Sequence, residues 1–79
     1  MITEINEVLN LCMRAKEKGH DCFFFYRSHV DWIEVTIYVG GWSSITDTQT
    51  YLIRLDGIVD EEYGYYSITT VKKVLEELV

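Results

Sequence analysis

The chain has 79 residues, of which 48% are hydrophobic and 25% charged, a composition typical of one globular domain over residues 1–79. Its net charge of −6 argues against a protein that binds nucleic acid directly through Lys and Arg. No apolar run approaches the roughly 20 residues that span a bilayer, and the N-terminus lacks a secretory pattern. We therefore expect a cytoplasmic protein without a membrane or nucleic-acid partner. Because so small a chain buries only about 60% of its unfolded surface, a protein partner or a homodimer is expected.

The first predicted element is an amphipathic helix from Thr3 to Lys18. Apolar residues recur there at steps of three and four, which is the helical period. Thr3 is the predicted N-cap, and Gly19 is the predicted left-handed residue after the last turn. The apolar stripe consists of Ile5, Val8, Leu9, Cys12 and Ala15.

Three strands follow the first helix. The aromatic run 22–26 is rich in strand formers, residues 32–39 alternate between apolar and polar, and residues 50–55 repeat that alternation. The core-facing residues of the second and third strands are Ile33, Val35, Ile37, Val39, Tyr51, Ile53 and Leu55.

Residues 58–66 leave two alternatives open. The acidic run 60–62 is typical of a solvated loop, whereas Tyr63, Tyr65 and Tyr66 could add a short edge strand. We leave the segment irregular.

Ser67 is the predicted N-cap of a final helix, whose apolar side carries Val71 and Leu75. Lys72 and Lys73 precede Glu76 and Glu77 by four residues, which predicts surface pairs within this helix. The order of elements is α-β-β-β-α. Short connections and two amphipathic helices predict a two-layer α+β sandwich, with a three-stranded antiparallel sheet and both helices on one face.

The other sheet face is the candidate interaction face, together with one side of the run 23–26. Trp and Tyr there are good strand formers that pair across strands, and they are also enriched at interface hot spots. We predict that this face contacts a protein partner or a second copy of the chain. Its residues are Trp32, Glu34, Thr36, Tyr38, Leu52 and Arg54.

The whole net charge of −6 falls in residues 21–62, mostly in turns between strands. The predicted acidic rim consists of Asp31, Asp47, Asp56, Asp60, Glu61 and Glu62. Acidic turns commonly keep a small protein soluble. Alternatively, an acidic rim around an aromatic face docks on a basic protein surface.

No motif predicts a metal, a cofactor or a catalytic centre. Cys12, His20, Cys22 and His29 lack the spacing of a metal site, and we expect both cysteines to be reduced, buried thiols. The serines, histidines and acids match no nucleophile elbow or paired-carboxylate pattern. We do not predict an enzyme.

The order of elements resembles the double-stranded RNA-binding domain, whose second helix begins with lysines that contact phosphates. Lys72 and Lys73 lie near that place. The chain departs from the family because its preceding loop is Asp60-Glu61-Glu62 and no basic cluster is present. RNA binding is therefore not predicted.

The central third of the chain resembles small proteins encoded by bacteriophages and prophages. The resemblance rests on the run 29–32, the alternating strand after it and the run Gly40-Gly41-Trp42. It implies an accessory protein that occupies a host protein's surface. We thus predict a non-catalytic protein-interaction module. The alternatives are an acidic inhibitor that mimics nucleic acid on a host DNA- or RNA-handling protein, and a small-ligand-binding domain.

Overall fold

A computed structural model describes residues 2–41 and 48–79. It contains helix α1 (Ile2–Glu17), strands β1 (Asp21–Arg27), β2 (Trp32–Tyr38) and β3 (Thr48–Arg54), a short 3-10 helix (Glu61–Tyr63) and helix α2 (Ile68–Glu76). The predicted α-β-β-β-α order and α+β class are confirmed. Within the described ranges, no helix is long and apolar enough to cross a membrane.

The sheet is an antiparallel meander in the order β1-β2-β3. Phe24 lies opposite Val35, and Val35 lies opposite Tyr51. Because side chains alternate along each strand, this register fixes one face for Phe24, Val35 and Tyr51 and the other face for Phe23, Thr36 and Thr50.

Both helices cover the same face of the sheet. A single buried cluster joins three residues of α1, four of the sheet and two of α2. Burial of these apolar side chains is the main stabilising contribution for a domain of this size. The cluster consists of Val8, Leu11, Cys12, Ile33, Val35, Ile37, Ile53, Val71 and Leu75.

The ends of α1 confirm one prediction and correct another. Gly19 has φ +91°, its N–H bonds the Lys16 carbonyl at 3.0 Å, and the His20 N–H bonds the Ala15 carbonyl at 3.0 Å. These bonds form a Schellman motif, and the prediction of a left-handed Gly19 is confirmed. The predicted N-cap at Thr3 is wrong, because the helix already begins at Ile2. A cap contributes only about 1 kcal/mol, and Glu4 in the first turn favours the helix dipole without it.

In α2, Ser67 is the N-cap, and its Oγ accepts a hydrogen bond from the Thr70 N–H at 3.1 Å. The predicted ion pair between Lys72 and Glu76 is replaced by one with Glu7 of α1. That bond raises the pKa of Lys72 above its ordinary value. The pairing differs because the two helices lie side by side, which sequence spacing within one helix cannot reveal.

The segment before α2 runs along the outer edge of β3. The Leu52 N–H bonds the Gly64 carbonyl at 3.1 Å, and the Tyr66 N–H bonds the Leu52 carbonyl at 2.8 Å. Tyr65 thereby forms a single parallel bridge with Leu52 rather than a further strand. This contact occupies part of the β3 edge.

Candidate functional site

The six residues of the predicted interaction face lie together on the side of the sheet opposite the helices. Trp32 is paired with Arg54, Glu34 with Leu52, and Thr36 with Thr50. Strand β1 extends this surface with Phe23, Phe25 and Arg27. We call this surface the outer sheet face, defined by Phe23, Phe25, Arg27, Trp32, Glu34, Thr36, Tyr38, Thr50, Leu52 and Arg54.

Aromatic rings contact each other at both ends of the outer sheet face. The ring centroids of Trp32 and Tyr65 are 5.3 Å apart in an edge-to-face arrangement. At the other end, the rings of Phe23 and Tyr38 are 5.1 Å apart and tilted. Tyr65 therefore belongs to this surface, because its bridge to Leu52 places its side chain on the same side of the sheet.

Exposure on the face is greatest along β1, not along β2. Phe23 is 40% exposed and Phe25 is 48% exposed, whereas Trp32 and Tyr38 are half-buried. Thr36 is only 8% exposed, and its hydroxyl lies 3.2 Å from the Thr50 hydroxyl. The predicted centre of the face is thus already packed, and the accessible apolar surface lies nearer the β1 edge.

Two arginines flank Trp32 in one row across the sheet. Arg27 lies opposite Trp32 from β1, and Arg54 lies opposite Trp32 from β3. The Arg27 Nη2 is 3.2 Å from Glu34 Oε1, and its guanidinium lies 5.9 Å from the Phe25 ring centroid. This end of the outer sheet face therefore presents an indole between two cations.

Arg54 is held by a carboxylate at the edge of its guanidinium and by an aromatic ring. Its Nε and Nη2 donate to the two carboxylate oxygens of Asp56 at 3.1 and 2.6 Å, and its Cζ lies 5.3 Å from the Tyr65 ring centroid. The bidentate bond from Arg54 lowers the pKa of Asp56, with a further contribution from the Ile58 N–H at 3.0 Å. The same bond raises the pKa of Arg54.

The described members of the predicted acidic rim fall into two groups. Asp31 and Asp56 lie at the Trp32 end, where the Leu55 N–H bonds the Asp31 carbonyl at 3.1 Å. Asp31 also accepts a hydrogen bond from the Tyr26 hydroxyl at 2.9 Å, which raises the pKa of Tyr26. Asp60, Glu61 and Glu62 form the second group, on the segment beside β3. The remaining rim residue, Asp47, lies outside the described residues, as does Trp42.

The structure brings the two cysteines into contact, which sequence spacing did not reveal. The buried Cys12 thiol and the half-buried Cys22 thiol are joined by a hydrogen bond. That bond raises the pKa of Cys12, with burial adding to the effect, and lowers the pKa of Cys22. Both thiols are free, and among residues 2–41 and 48–79 no cluster of His, Cys, Asp and Glu could hold a metal ion.

His20 has a structural contact instead of a metal-binding arrangement. Its Nδ1 accepts a hydrogen bond from the Gly40 N–H at 3.0 Å, which joins the turn after α1 to the turn after β2. His29 is exposed in the β1–β2 turn, as expected for a turn residue.

A groove of about 500 Å³ lies between the two helices, on the opposite side of the molecule from the outer sheet face. Its lining is largely charged or polar and includes Glu7, Asn10, Arg14, Lys72 and Glu76. Ligand pockets are mostly apolar with a few polar groups, so this groove does not have their usual lining.

The β1 residues, Thr50 and Tyr65 are the members of the surface that the sequence did not identify individually. Apolar and polar residues do not alternate in the run 22–26, so the sequence does not show which of its side chains face the helices. Pairing with β2 decides this. For Tyr65, the only signal is the cluster of tyrosines at 63, 65 and 66.

Comparisons with protein-family models, with curated proteins and with solved structures found no match to this chain.

Proposed function

We propose that this protein is a small, acidic, non-catalytic protein-interaction module that binds a partner protein through the outer sheet face. The observation that supports this proposal is the position of the aromatic side chains. Phe23, Phe25 and Trp32 lie on the face away from both helices, and Tyr65, from outside the sheet, contacts the Trp32 ring edge-to-face there. Aromatic rings and arginine are the side chains that contribute most at protein interfaces.

The chemistry of the face supports one kind of partner. Phe23 and Phe25 offer apolar area, and Arg27 and Arg54 offer planar cations already oriented by Glu34 and Asp56. A complementary protein surface would bring an apolar patch bordered by polar groups. Together with the bacteriophage resemblance, this makes a cytoplasmic host protein the proposed partner.

Mimicry of nucleic acid by the acidic rim is the second hypothesis, and the charge arrangement favours it less. Two of the six interaction-face residues belong to ion pairs that include an arginine, Glu34 with Arg27 and Arg54 with Asp56. A surface that imitates phosphates needs a continuous negative potential, which these arginines interrupt.

Affinity capture with matched variants tests the proposed function. The bait is the wild type, compared with the double variant Trp32→Ala, Tyr38→Ala and with Phe25→Thr. We expect a specific prey to be retained by the wild type and lost from both variants, because truncated hot-spot side chains leave the interface underpacked. Phe25→Thr keeps a good strand former and removes an exposed ring, so it covers the case in which the double variant unfolds.

Tyr63→Ala is the control, because Tyr63 is 75% exposed on the 3-10 helix and not on the outer sheet face. It should retain the prey. Capture of the same proteins, in the same amounts, by the wild type and by both outer-face variants would contradict the proposed function.

A further inference from the structure

Strand β1 has one unpaired edge in the described part of the chain. It lies at the border of the sheet and pairs only with β2. No backbone hydrogen bond among the described residues joins its other edge to another element. The opposite border of the sheet is different, because residues 64–66 bond to Leu52 of β3. An exposed edge that carries apolar side chains is a template for a further strand.

The sequence of this edge is complementary to itself. Strand β1 reads Asp-Cys-Phe-Phe-Phe-Tyr-Arg, with an acid at one end and a base at the other. If two copies run antiparallel with Phe24 at the centre, Asp21 lies opposite Arg27, and Phe23 lies opposite Phe25. Opposite charges and paired aromatic rings in directly facing positions both stabilise an antiparallel pair.

We propose that a second copy of this chain pairs with the β1 edge, antiparallel about a two-fold axis at Phe24. The two three-stranded sheets then form one sheet of six strands. A two-fold interface needs a surface that matches itself, and the positions of Asp21 and Arg27 satisfy this condition. Within the chain the Asp21 carboxylate lies 3.5 Å from the Lys16 ammonium, and a carboxylate accepts several hydrogen bonds at once.

The helix layer has apolar surface at the same border. Leu9 and Met13 lie one turn apart on α1 and are 40% and 65% exposed. With Phe23 and Phe24 they line a surface groove of about 270 Å³ beside β1. Pairing of the strands would bring α1 of each copy next to the two-fold axis, so that these side chains are removed from water as well.

This dimer goes beyond the proposed function, because it uses the edge of β1 rather than the outer sheet face. It would also place the two outer sheet faces side by side, with Phe23 and Phe25 of each copy at the junction. A partner protein would then meet a surface of twice the width.

Charge reversal at the two ends of β1 tests the dimer and its register. Sedimentation equilibrium gives the dissociation constant for the wild type, Asp21→Arg, Arg27→Asp and the double variant. Each single variant places like charges opposite each other at both ends, so we expect its dissociation constant to rise by about tenfold. The double variant restores opposite charges and should return to within about threefold of the wild type.

An equimolar mixture of Asp21→Arg and Arg27→Asp provides the decisive measurement. In a mixed pair both ends carry opposite charges, so the mixture should dimerise more tightly than either variant alone. Any effect of the substitutions on Lys16 or Glu34 within one chain is the same alone and in the mixture, so only pairing between copies explains the gain. Glu61→Arg is the matched control away from β1, and it should leave dimerisation unchanged.

A wild type that remains monomeric at all concentrations would overturn the dimer. Single variants that dimerise like the wild type, or a mixture that gains nothing, would overturn the register. Neither result affects the proposed use of the outer sheet face, which is tested away from β1 by the variant at Trp32 and Tyr38.

Discussion

At the residue scale, Asp56 joins the turn after β3 to the outer sheet face. Its carboxylate accepts from the Arg54 guanidinium and from the Ile58 N–H. Arg54 in turn lies over Tyr65, which contacts Trp32. A single turn acid thereby fixes the orientation of a cation and of two aromatic rings on the candidate surface.

The lowered pKa of Asp56 predicts a pH dependence of stability. A carboxyl with a folded-state pKa below its unfolded value stabilises the fold above the unfolded pKa, which is about 4. That contribution is lost as the pH falls through the folded-state pKa. We expect Asp56→Asn to lower the melting temperature at pH 7, and the difference from the wild type to vanish at acidic pH.

Thermal unfolding at a series of pH values between about 7 and 2 measures this difference. Glu62→Gln is the control, because Glu62 is exposed on the 3-10 helix beside β3. A difference between the wild type and Asp56→Asn that stays constant with pH would show that the carboxylate charge is not what stabilises the turn.

At the element scale, the N-terminus of α2 depends on a side chain. The Ser67 Oγ accepts from the Thr70 N–H at 3.1 Å, and Val71 and Leu75 then face the buried core. We expect Ser67→Ala to lower the free energy of unfolding by about 1 kcal/mol, because an amide of the first turn loses its acceptor. Ser67→Asp supplies another acceptor and should retain most of the stability.

Urea denaturation measures the free energy of unfolding of these variants. Thr69→Ala is the matched control, because Thr69 is exposed in the same turn and does not cap the helix. Equal losses from Ser67→Ala and Thr69→Ala would contradict the assignment of the cap.

At the scale of the whole molecule, the net charge of −6 comes from residues 21–62, the part of the sequence that connects the two helices. In space, Arg27 and Arg54 lie on the outer sheet face and form ion pairs there, while Asp60, Glu61 and Glu62 lie beside β3. The negative charge therefore borders the aromatic surface without covering it. Such an arrangement accelerates encounter with a basic partner but leaves affinity to apolar burial.

The salt dependence of partner binding follows from this arrangement. For the complex captured in the affinity experiment, we expect the dissociation constant to rise by less than about tenfold between about 50 and 200 mM salt. Salt should mainly slow association. Isothermal titration and stopped-flow kinetics measure the two effects. A dissociation constant that rises steeply over this range would favour the nucleic-acid-mimicking inhibitor instead.

The spacing of apolar residues along the sequence by itself determined the order and type of the helices and strands. Alternation from Trp32 to Tyr38 assigned Ile33, Val35 and Ile37 to the core, and the structure buries all three. The helical period and Ser67 likewise determined α2 and its first turn. These features could be predicted because burial and capping depend on residues close together in sequence.

Only the tertiary structure decided which side chains share the candidate surface. The run 22–26 has no alternation, so pairing with β2 was needed to place Phe23 and Phe25 outward and Phe24 toward the helices. Tyr65 contacts Trp32 because the segment after β3 returns along that strand and forms a bridge between Tyr65 and Leu52. Contacts between distant segments depend on how elements pack together, and local periodicity does not encode that packing.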